Sequence, residues 1–141
     1  MSASNGSAAP AAPAARRGIL HAGSFRMIGG GLLLIIGAFT PWLYTPVLNM
    51  PAMQGPGLWL LCAGVLAIAG ALLPYRLVAL AHALVPAAAG GAMVVGQLGL
   101  IAYHSTVSDT WGTILPGVSM VIACAGVAIL LSAARRMYNA S

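Results

Sequence analysis

Residues Gly29 to Gly70 read GGGLLLIIGAFTPWLYTPVLNMPAMQGPGLWLLCAGVLAIAG. Two apolar runs face each other across a short connection rich in Pro, Gly and Met. Trp42 and Tyr44 stand on one side of that connection and Trp59 on the other. The pattern predicts a transmembrane helical hairpin, because each run is close to the ~20 apolar residues that a span requires. A second hairpin follows, and little of the chain remains outside the two.

Composition points the same way. The chain has 141 residues, of which 60% are hydrophobic and 5% charged. Soluble domains carry about 25% charged residues. At this size a soluble fold could not hide so much apolar surface from water, whereas lipid solvates the outside of a bundle directly. The length leaves room for one membrane domain and no sizeable soluble one.

Outward from the central stretch, the expected organisation is as follows. Residues 1–17 are small, Pro- and Ser-rich and aperiodic, and are expected to form a disordered tail. Residues 18–26 form an interfacial lead-in. The membrane domain covers 27–134, with spans at 27–47, 58–75, 78–103 and 114–134. Residues 135–141 are a tail. Pro41, Pro74 and Pro116 fall near span ends, where a missing N–H is tolerated. Pro86 falls inside the third span and is expected to bend it. The expected fold is thus an all-α membrane protein, a four-transmembrane-helix bundle of two antiparallel hairpins.

Orientation rests on charge. The six basic residues are all arginine: Arg16, Arg17, Arg26, Arg76, Arg135 and Arg136. With four spans, all six fall on one side, and the positive-inside rule makes that side cytoplasmic. Both termini are therefore expected inside, in the plasma (inner) membrane. The formal charge of +5 suits anionic lipid headgroups. It does not suggest nucleic acid, since no basic stripe or aromatic-basic module is present. Trp42, Trp59 and Trp111 all fall at the opposite, outer interface, where amphipathic rings favour the headgroup level. They are expected to form an aromatic rim.

Between spans, close approach depends on small residues four apart. Candidate rows are Ala63, Ala67 and Ala71 in the second span. The third span offers Ala88, Ala92 and Gly96, with Ala87, Gly91 and Gly99 beside them. The fourth offers Cys124, Ala128 and Ser132. These rows serve packing within one chain, self-association, or contact with another membrane protein.

Gly37-Ala38-Phe39-Thr40-Pro41-Trp42 resembles the end of the first span in uncharacterised small four-span integral membrane proteins of high-GC bacteria. Those proteins share a glycine-rich first span closed by a Pro-Trp pair, then a Gly-bearing outer loop and an Ala/Leu-rich second span. The resemblance covers about residues 27–134. It implies the fold and class and no activity.

Chemistry-bearing residues are few. Gln97 is the one strongly polar side chain deep in a span, suited either to an interhelical hydrogen bond or to a polar point in a conduction path. No Asp, Glu, Lys or Arg is deep in any span, which argues against ion-coupled pumps and proton relays. Asp109, the sole carboxylate, is close in sequence to His104. The pair could act as an acid–base couple, but a nucleophile or third ligand is missing, and Asp109 suits a helix cap equally well. Met50, Met53 and His104 carry ligand types that suit Cu(I), a thin set. Cys62 and Cys124 are within spans and form no C-x-x-C pair. No enzyme activity, cofactor or metal is expected. The leading expectation is a non-enzymatic accessory or structural subunit acting through helix–helix and outer-rim contacts. An oligomeric channel or transporter for a neutral or apolar substrate is the alternative. Metal handling or enzyme activity at the outer loops is the lesser one.

Overall fold

The computed structural model describes residues 23–44, 49–51, 53, 55–109 and 111–140. Within them the chain forms four helices: α1 (Ser24–Phe39), α2 (Gly57–Ala71), α3 (Arg76–Val107) and α4 (Val118–Asn139). Three short strands accompany them: β1 (Pro41–Tyr44), β2 (Asn49–Pro51) and β3 (Leu115–Pro116). Each helix packs on its sequence neighbours, and α1 also packs on α4. The helices therefore close into a ring of four, with α1 and α3 on opposite corners.

Two helices, α3 and α4, are long and apolar enough to cross a membrane; α1 and α2 are shorter apolar helices. The first helix ends well before the Val47 expected from the sequence. Thr40 is already extended, with ψ at 159°, as the residue before a proline prefers. The freed carbonyl of Gly37 accepts hydrogen bonds from the Thr40 hydroxyl and from the buried Ser119 hydroxyl on α4. Those partners satisfy a helix end that would otherwise be left bare. The helix also begins at Ser24, so Arg26 belongs to its first turn and not to a separate lead-in. At the other extreme, α3 has 32 residues and rises about 48 Å at ~1.5 Å per residue. It runs on through Val107 and takes in His104, beyond the 78–103 expected for this span. Pro86 is inside it, fully buried.

The strands form one sheet in the order β2-β1-β3. Pro41 pairs with Pro51 and Leu43 with Met50, so the register slips by one residue at Trp42. Leu43 and Tyr44 pair on the other side with Pro116 and Leu115. All three strands adjoin one end of the bundle, the end where α1 stops and α2 and α4 start.

Small residues line the contacts. Ala63, Ala67 and Ala71 of α2 are buried, as the spacing predicts. On α3 the buried face includes Ala79, Ala83, Pro86, Ala87 and Gly90, of which the expected rows contain only Ala87. Ala88, Ala92 and Gly96 are exposed and Gly91 is half-buried. On α4, Cys124 and Ala128 are exposed, whereas Ala123, Gly126 and Ala133 face inward. Both helices carry small residues on most faces, so a four-residue spacing recurs around the cylinder and does not single out the face that packs.

Candidate functional site

The end of the bundle bearing the sheet was expected to carry an aromatic rim of three tryptophans. The structure divides them. Trp59, in the first turn of α2, is 68% exposed, and Trp111, between α3 and β3, is 66% exposed. Trp42 is only 2% exposed and belongs to the core. It is the extra residue at the irregularity between Pro41 and Leu43, and a bulge of this kind re-aims a side chain. The rim is therefore Trp59 and Trp111, without Trp42. The Trp42 Nε1 hydrogen is buried and has no hydrogen-bond partner among the described residues.

Gly117 holds this end together. Its N–H donates to the Trp42 carbonyl at 2.8 Å. A Cβ at Gly117 would fall 2.5 Å from the Trp42 carbonyl oxygen, closer than real side chains come. Only glycine lets the start of α4 pass this near β1.

Among the described residues, the candidates for acid–base chemistry or metal binding are found at separate, exposed positions. Asp109 is exposed and has a φ of +50°. It directly follows Ser108, the C-cap of α3, in the left-handed conformation common just past a helix end. It therefore stands just past the end of α3, and the N-cap of α4 is Gly117. His104 is exposed, its ring 5.8 Å edge-on from that of Tyr103. Met53 is exposed as well, and the Met50 side chain is outside the described residues. No group of three His, Cys, Asp or Glu residues occurs together among the described residues. Gln97 is half-buried on α3.

The arginines occupy the opposite end. Arg26 is in the first turn of α1, Arg76 starts α3, and Arg135 and Arg136 are near the end of α4. Arg16 and Arg17 are outside the described residues. Arg76 donates to the carbonyls of Met137 and Tyr138, closing the last turn of α4. Arg26 donates to the Ser132 hydroxyl at 3.2 Å. Arg135 and Arg136 are exposed. This polar end was legible from the sequence; which arginines are tied to the protein was not, because their hydrogen-bond partners are more than fifty residues away along the chain.

Open apolar hollows lie between helices. One of about 320 Å³ runs between α2 and α3, beside Trp59, Cys62, Leu66, Val85 and Pro86. Two more, of about 280 and 300 Å³, share Leu80 and Tyr138 and adjoin the arginine end between α3 and α4.

No family model, curated protein or solved structure matches this chain.

Proposed function

We propose that the chain is an integral membrane protein of four spans, with both termini on the cytoplasmic side of the plasma membrane. In this reading it is a non-enzymatic accessory or structural subunit, and it acts through helix–helix contacts and its outer rim. The observation that carries the proposal is the distribution of polarity along the bundle axis. Every arginine among the described residues is at one end, and the flanks between the ends expose large apolar side chains such as Leu66, Val95 and Val121. An apolar flank of this extent is compatible with lipid and costly in water.

The short α1 and α2 fit the same reading. About 16 residues rise only ~24 Å, less than a hydrocarbon core of ~30 Å. The sheet makes up the difference at the outer end. Strand pairing satisfies the backbone there, as any non-helical backbone near the membrane must be satisfied. Trp59 and Trp111 then stand at the outer headgroup level, free for contact with a partner.

The test is affinity purification of the full chain from native membranes in mild detergent, beside a Trp59→Ala/Trp111→Ala double variant at equal abundance. A stoichiometric membrane partner that the double variant loses supports the proposal. Recovery of the wild type alone, together with ion or solute flux through the purified protein in liposomes, overturns it in favour of a channel or transporter.

A further inference from the structure

The arginine end carries a groove with the features of an amphiphile site. On α4, Leu131, Ala134, Arg135 and Tyr138 recur at helical spacing along one stripe. On α3, Leu80 and Leu84 lie opposite, and together these six residues line a hollow of about 280 Å³. The two helices run antiparallel there, since Arg76 at the start of α3 bonds the carbonyls of Met137 and Tyr138 at the end of α4. Leu84 and Leu131 are therefore the deep end of the groove, and Arg135 and Tyr138 the shallow end. Past Tyr138 a second hollow of about 300 Å³ continues over Leu80 and Leu77 to Arg76.

The arginines differ in what they are doing. Arg76 and Arg26 are engaged with the protein. Arg135 makes no hydrogen bond or ion pair among the described residues, and Asp109, the sole acidic side chain, is past the far end of α3. No acidic side chain among the described residues is at this end of the bundle. An apolar groove with the exposed, unpaired Arg135 among its lining residues complements a molecule with a hydrocarbon tail and an anionic head.

The geometry points to a specific site for one anionic phospholipid between α3 and α4. An acyl chain would lie along Leu80, Leu84 and Leu131, and the phosphate would sit on Arg135. This rests on the membrane reading above and adds to it a defined lipid at a defined place. Arg136, exposed on the neighbouring stripe of α4, does not line the groove and serves as the internal control.

The experiment uses the full chain in nanodiscs and in detergent, with native mass spectrometry counting retained lipid. The probes are phosphatidylglycerol, phosphatidylcholine and inorganic phosphate. The expected result is one phosphatidylglycerol retained in preference to phosphatidylcholine, undisturbed by excess inorganic phosphate. Arg135→Gln should weaken retention about fivefold, the effect of one arginine at an anionic lipid surface, and Arg136→Gln should leave it near wild type. Leu84→Trp, which fills the groove without touching charge, should lower retention of both lipids. Equal losses for Arg135→Gln and Arg136→Gln would overturn the site in favour of diffuse surface attraction. Competition by free phosphate would overturn the lipid as occupant. Wild-type chain partitioning into the soluble fraction of cells would overturn the membrane reading and this site with it. Membrane recovery without lipid preference overturns the site alone.

Discussion

Gly31 of α1 and Gly64 of α2 meet backbone to backbone. A Cβ on Gly64 would be 2.5 Å from the Gly31 carbonyl oxygen, and one on Gly31 would be 2.7 Å from that of Gly64. The adjacent Gly30 makes the matching approach to Gly126 of α4, with reciprocal distances of 3.0 Å to carbonyl oxygens. Successive residues on a helix point about 100° apart, so one glycine pair on α1 seats two neighbours at once. Lipid offers little drive for helix association, and close backbone packing of this kind supplies it.

Gly64→Ala should therefore lower thermal stability in detergent, by about 1–3 kcal/mol for an overpacked contact. Gly96→Ala should be neutral or raise stability by up to ~1 kcal/mol, because a Cβ there meets nothing within 4 Å and alanine favours helix. Melting curves followed by circular dichroism at matched detergent concentration decide this. Equal shifts for the two variants would mean that the α1–α2 contact is not the tight one.

The sheet end should depend on Gly117 more than on any single tryptophan of the rim. Gly117→Ala forces β1 and the start of α4 apart and removes the geometry of the 2.8 Å bond to Trp42. We expect a loss of about 2 kcal/mol or more, in the range of overpacking with a broken hydrogen bond. Ser119→Ala, which takes only the hydroxyl from the Gly37 carbonyl, should cost about 1 kcal/mol. Hydrogen exchange at the amides of Leu43 and Tyr44 would show the sheet loosening in the first variant and holding in the second.

Trp42 is buried with an unpartnered Nε1 among the described residues. Trp42→Ala should cost about 3–5 kcal/mol through the cavity it leaves. Trp42→Phe should cost under half as much, because it removes a buried donor whose desolvation is worth about 1–3 kcal/mol while keeping most of the packing. A loss for the Phe variant close to that for Ala would show that the indole N–H is hydrogen-bonded, since both variants delete the donor and only Ala opens the large cavity.

Reporter fusions after Ser108 should read outside, and fusions after Arg76 or at the C-terminus inside. All arginines among the described residues sit at one end of the bundle, and the positive-inside rule then allows one orientation. An outside signal at the C-terminus overturns it.

Asp109→Asn and His104→Gln should leave the cellular role intact, measured by complementation with protein level checked by blot. Asp109 follows the C-cap of α3 and His104 is exposed beside Tyr103, which is a structural position for one and a surface position for the other. Asparagine also accepts the left-handed conformation of position 109. Loss of complementation at normal abundance would move a functional site to this loop.

Hydropathy, the arginine positions and the prolines were enough to name four apolar helices and to place the end of α2 near Pro74 and the start of α4 near Pro116, though not the early end of α1 at Phe39, because those features act through local chain chemistry and the solvent around it. The alanine row of α2 was legible for the same reason. Three things depended on tertiary structure. One was which face of α3 and α4 turns inward, since both helices are small-residue-rich all round and several four-residue rows compete. The second was the fate of Pro41 to Tyr44, whose β pairing comes from Asn49–Pro51 on one side and from Leu115–Pro116, far along the chain, on the other. The last was Trp42, written in the sequence as an interfacial ring and turned into the core by a one-residue slip in strand register. A local pattern determines what a segment tolerates; a bulge or a glycine contact is set by where the partner backbone lies.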